Sequence, residues 1–125
     1  LLSGKLASTK EVMMNFPKFE IYKGQDDHFY FRLLATNGQN ILSSQGYTTK
    51  AKCQNGIESV KSNALDAAHF EVREAADGRY YFILLAVNKQ VIGTSQMYAN
   101  KRNCEEGIQS VQHNAPHAPV EDATV

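Results

Sequence analysis

Sliding the chain along itself by 51 positions lays residues 18–64 over residues 69–115 without a gap, and about 22 of those 47 aligned positions are identical. Phe19-Glu20 falls on Phe70-Glu71, Tyr30-Phe31 on Tyr81-Phe82, Leu33-Leu34-Ala35 on Leu84-Leu85-Ala86, and Ser44-Gln45 with Tyr47 on Ser95-Gln96 with Tyr98. Two copies of a unit this long exclude a solenoid or propeller, which needs at least three stacked units to bury its faces. Two related halves closing about a pseudo-two-fold axis are expected instead.

Each half carries the same local signals. Phe19 to Lys23 alternates apolar and polar and predicts a strand; Gly24-Gln25-Asp26-Asp27 then marks a loop, with Asp77-Gly78 at the matching place. His28 to Thr36 predicts a second strand, Asn37-Gly38 a tight turn, and Gln39 to Gln45 a third strand. After Tyr47 the period changes from 2 to 3.6: Cys53, Gly56, Ile57 and Val60 share one helix face, as do Cys104, Gly107, Ile108 and Val111. Thr49 and Asn100 stand at N-cap positions, and Asn63 and Asn114 where a left-handed residue would end each helix. A strand after each helix is also expected, since Ala68–Glu74 could pair with both halves and His117–Ala123 holds a short Val-Glu-Asp-Ala stretch. The fold class is therefore α+β: two tandem βββα(β) repeats, residues 16–66 and 67–123, sharing one compact domain. Leu1–Asn15 lies outside the repeat and is expected to be a mobile N-terminal extension or cloning remnant.

The Tyr-Phe and Leu-Leu-Ala of strand two, Asn37-Gly38, Ser44-Gln45 with Tyr47, and Gly56-Ile57 with Ser59-Val60, together with their second-repeat partners, resemble the YegP-like proteins. These are small bacterial proteins of unknown function that occur as one-repeat dimers or two-repeat single chains, and the resemblance covers about residues 16 to 123. It implies one antiparallel sheet from two βββαβ motifs that exchange their final strands, with both helices on one face. It implies no activity. Two departures stand out: Asn88-Lys89 replaces Asn-Gly in the second repeat, and Leu34 and Leu85 stand where relatives often carry Lys.

Composition narrows the function classes. Thirteen basic and thirteen acidic residues balance to zero, so the basic excess that phosphate binding needs is missing and nucleic-acid partners are disfavoured. No apolar run reaches the roughly 18 residues that span a bilayer, so a cytoplasmic protein without membrane contact is expected. His28, His69, His113 and His117 show no zinc spacing with Cys or carboxylates, and neither a metal nor a cofactor is expected. Cys53 and Cys104 occupy equivalent apolar helix positions and are expected to be buried and reduced. Gly56 and Gly107, each costing about 1 kcal/mol against Ala mid-helix, are expected to let the helix approach the sheet. Glu20, Glu71, Asp26 and Asp77 suit edge and turn roles.

Two constellations remain as candidate sites. Ser44, Gln45, Tyr47 and Lys50, with Ser95, Gln96, Tyr98 and Lys101, could line a duplicated polar groove or could satisfy backbone groups where strand gives way to helix. On strand two, Tyr30, Arg32 and Leu34 point away from the side of Phe29, Phe31 and Leu33, as do Tyr81, Ile83 and Leu85 in the second half. If the helices cover the first side, Tyr30, Leu34, Tyr81, Ile83 and Leu85 form an apolar stripe on the other. The favoured function is a non-enzymatic interaction or binding module using that face, toward an unknown protein partner or a second copy. The alternatives are single-stranded nucleic-acid binding by stacking on Tyr30 and Tyr81, and a small enzyme moving protons with Tyr47, Lys50, Tyr98 and Lys101.

Overall fold

The computed structural model describes residues 16–125; the expectations for Leu1–Asn15 lie outside the described residues. Strands β1 (Lys18–Lys23), β2 (Phe29–Leu34) and β3 (Asn40–Ser43) form a meander followed by helix α1 (Lys50–Asn63). A 3-10 turn (Ala67–His69) leads into β4 (Phe70–Glu74), β5 (Tyr80–Leu85) and β6 (Val91–Thr94), then α2 (Lys101–Asn114) and a short β7 (Val120–Asp122). The seven strands make one sheet in the order β4-β5-β6-β3-β2-β1-β7. The halves meet where Ser43 pairs with Thr94, its own counterpart, so the pseudo-two-fold axis passes through that pair.

The sheet is antiparallel except at one place. β7 runs parallel to β1, aligning Phe19 with Val120 and Ile21 with Asp122, so the sheet is mixed. The expected exchange is present in this direction, because the last strand of the second repeat completes the first. The reciprocal strand is missing from the described residues. Of Ala68–Glu74, expected to be able to pair with both halves, residues 70–74 are already the first strand of repeat two and pair only with β5.

Both helices lie on one face. α1 reaches across β2, β5 and β6, while α2 covers β3, β4 and β5, so each helix packs partly on the other repeat. The core between helices and sheet holds Phe19, Ile21, Phe31, Leu33, Leu42, Phe82 and Leu84 with Cys53, Ile57, Val60, Cys104 and Val111. A register shift between Leu33 and Leu34 breaks strict alternation on β3, which lets adjacent Ile41 and Leu42 both join the core.

The helix starts follow the sequence: the Thr49 and Asn100 side chains accept from the Lys52 and Asn103 amides. The ends do not. Asn63 and Asn114 are not left-handed terminators; each is buried inside the helix, with its amide donating to the carbonyl of Ser59 or Ser110 one turn back. That back-bond keeps the residue helical, and the caps fall on Ala64 and Ala115 in ordinary right-handed geometry. In the β5–β6 turn Lys89 takes φ of 71° where Gly38 of the β2–β3 turn has 81°, so the turn persists with a residue that resists this backbone region.

Candidate functional site

At the strand-to-helix junction the two serines are engaged by the fold. Ser44 Oγ accepts from the Phe31 amide at 2.8 Å and donates to the Gln45 carbonyl, and Ser95 does the same with Phe82 and Gln96. Just beyond, Phe29 and Tyr47 exchange two backbone hydrogen bonds, as do Tyr80 and Tyr98. The serine hydroxyl thus satisfies a strand amide at the point where the neighbouring strand turns away. The Tyr47 ring stacks on Phe31 at 6.2 Å and the Tyr98 ring on Phe82 at 6.3 Å. Each phenol ends under the helix glycine: a Cβ on Gly56 would stand 2.8 Å from Tyr47 Cζ, and one on Gly107 2.6 Å from Tyr98 Cζ. Burial raises the pKa of both phenols against hydrogen bonds from Gln45 and Gln96 that lower it, with Cys53 and Cys104 adding a smaller push in the same direction as burial. A phenol held in its neutral form beneath a helix serves packing better than proton transfer.

The lysines of this constellation differ between the halves. Lys50 Nζ lies 2.7 Å from Asp122 of β7. Lys101, at the same position of repeat two, is exposed and makes no ion pair among the described residues. Four side chains duplicated in sequence therefore do not make two equal grooves.

A polar cleft of about 350 Å³ forms between the β2–β3 turn of repeat one and α2 of repeat two. Of the second-repeat constellation, Gln96 and Tyr98 line it and Ser95 and Lys101 do not. Asn37, Gln39, Asn103 and Glu106 are among the other residues that line it. Sequence reading missed these four because they come from segments more than 60 residues apart, brought together only by the crossing of helix onto the other half.

The uncovered sheet face is built from two rows. On β1 and β2, Tyr22 and Tyr30 stack with centroids 5.6 Å apart, and the Arg32 guanidinium sits 4.5 Å from the Tyr22 ring centre. Arg32 is bonded to Glu20 at 2.7 Å. The Tyr30 hydroxyl donates to Asp26 at 2.6 Å, which raises the phenol pKa and lowers that of the carboxyl. On β4 and β5 the row is Tyr81, Ile83 and Leu85, flanked by an Arg73–Glu71 pair at 3.3 Å. Tyr30, Leu34, Tyr81 and Leu85 are all half-buried, but Ile83 is only 3% exposed and offers no contact area. Since β3 and β6 stand between β2 and β5, the rows are separated by about 14 Å at ordinary strand spacing. Ser43 and Thr94 lie between them. The predicted single apolar stripe is thus two smaller patches divided by hydroxyl side chains.

The fold and these surfaces define a two-repeat α+β module with a duplicated helix-on-sheet core. A family model, "Domain of unknown function (DUF1508)", matches residues 25–71 and 75–122, and the chain belongs to that family. The chain is 49% identical over 102 residues to the "UPF0339 protein in ptx operon 5'region" of Stutzerimonas stutzeri, covering 82% of this chain and 92% of that one. It is 44% identical over 106 residues to "UPF0339 protein YegP" of Escherichia coli strain K12, covering 85% and 96%. The solution structure of yegP from E. coli superposes with a TM-score of 0.82 at 44% identity, over 86% of this chain and 92% of that one. A UPF0339 protein from Shewanella oneidensis gives 0.81 at 41%, over 86% and 91%. The E. coli structure is described as a protein of unknown function.

Proposed function

We propose that this protein is a non-enzymatic interaction module whose uncovered sheet face docks on another protein surface, a second copy of the chain included. One observation carries this reading. The junction serine hydroxyls are consumed by the backbone, whereas the uncovered face keeps Tyr22, Tyr30, Leu34, Tyr81 and Leu85 partly accessible. The charges on that face are already matched, Arg32 with Glu20 and Arg73 with Glu71. Matched charges favour an uncharged protein surface over a nucleic-acid strand, because a guanidinium held by a carboxylate is not free for phosphate. No helix among the described residues is long and apolar enough to cross a membrane. The setting we propose is the cytoplasm, where two unpaired cysteines are the ordinary state.

The test is the double variant Leu34→Lys with Leu85→Lys. Neither side chain faces the helices, so folding should persist. Sedimentation across a concentration series should show association of the wild type that the variant loses at unchanged thermal stability. Monomers in both cases, with a markedly less stable variant, would mean that this face is internal packing and that the reading is wrong.

A further inference from the structure

We infer that the outer edge of β4 receives an extended acidic peptide strand from a partner protein, laid parallel to it as β7 lies beside β1. This surface is the sheet's edge and is independent of the face discussed above. The filled half of the molecule supplies the template. Beside β1, the Phe19 amide donates to Pro119 and the Ala123 amide donates to Ile21, both at 2.8 Å, so Phe19 and Ile21 turn their backbone groups outward. With β7 in place, both side chains are fully buried.

In the second repeat the same place is vacant among the described residues. β4 ends the sheet, and its Phe70 and Val72, counterparts of Phe19 and Ile21, are only half-buried. The cause is arithmetic. Residues 120–122 correspond to residues 69–71 at the repeat offset, and those residues are already spent on the 3-10 turn and on β4 itself. The Phe70 amide is taken by the Ala67 carbonyl, which leaves the Phe70 carbonyl and both backbone groups of Val72 directed outward by the shared register. Strand addition to such an edge draws affinity from main-chain hydrogen bonds and selectivity from alternate side chains.

Charge specifies the occupant. In the filled half, Asp122 of the added strand meets Lys50 at the start of α1. In the vacant half, Lys101 holds the equivalent position at the start of α2, exposed and without an ion pair among the described residues. Glu121 meets Lys18, but the counterpart of Lys18 is His69, whose ring is held by the Leu85 carbonyl. The occupant therefore needs an apolar residue opposite Phe70 and a carboxylate two residues later, opposite Val72.

The probe is a synthetic peptide of residues 117–125, His-Ala-Pro-Val-Glu-Asp-Ala-Thr-Val, added to the full chain while backbone amides are followed by NMR. Saturable shifts on Glu71, Val72 and Arg73 are expected. Affinity should fall at least about fivefold for Lys101→Glu in the protein, and likewise when the peptide's Asp is replaced by Asn. No shifts at millimolar peptide, shifts on residues 18–21 instead, or an affinity indifferent to Lys101 would each overturn the inference. So would β4 shifts on diluting the protein alone, because the occupant would then be a second copy.

Discussion

The side chain of Leu42 lies over the α-carbon of Gly93, its own counterpart in the second repeat: a Cβ on Gly93 would stand 2.7 Å from Leu42 Cγ. The two positions approach each other diagonally across the pseudo-two-fold axis, beside the Ser43–Thr94 pair. An axis through a packed core has room for one large side chain, so the duplicated sequence must break its symmetry there.

Leu42→Ala should therefore destabilise the protein by about 2–5 kcal/mol through the cavity left at the axis. Gly93→Ala should cost about 1–3 kcal/mol through crowding against the same leucine. Combined, the two changes should cost less than their sum, because each relieves the other. Urea denaturation of the two single variants and the double variant measures this; simple additivity would show that the positions do not share one space.

Acid should weaken the attachment of β7 through Asp122. Lys50, then the hydroxyl and amide of Thr124, lower its carboxyl pKa from 3.8 to about 2. A depressed folded-state pKa contributes stability fully above the unfolded value, and that contribution fades as pH falls from near 4 toward 2. Thermal melts over that window should show a smaller pH dependence in Asp122→Asn than in the wild type. Parallel curves would assign the acid sensitivity elsewhere.

Cys53 and Cys104 should react slowly with thiol reagents under native conditions. Both are fully buried, and burial first, with the Asp122 charge second, pushes the Cys53 pKa up to about 11. Cys104 is raised by burial and then by Glu105. Since the thiolate is the reactive form, labelling near neutral pH should require opening of the fold. Rapid labelling of either residue would contradict this arrangement.

Residues 16–66 alone should not form a stable monomer. α1 rests partly on β5 and β6, and the outer edge of β1 is completed by β7, all from the second repeat. A half-length chain of this size cannot replace that buried surface from within. Circular dichroism at low concentration should show no cooperative transition, unless two copies pair. A monomeric half with cooperative unfolding would refute the interdependence.

Local chemistry sufficed for much of the architecture. The repeat, the two meanders, the N-caps at Thr49 and Asn100, and the glycines under which Tyr47 and Tyr98 pack all follow from short-range patterning, because strand alternation, turn residues and caps act over a few positions. The exchange of Leu42 for Gly93 at the repeat offset gains its meaning only where the two positions meet. Other features were decided only when the halves met. Ile83 sank while Leu34 and Leu85 stayed half-open. Asn37 and Glu106 came to line one cleft, and one edge received β7 while its twin did not. Each depends on which strand lies beside which across about 50 to 100 residues of chain, and side-chain patterning sets the face of a strand without setting its neighbour.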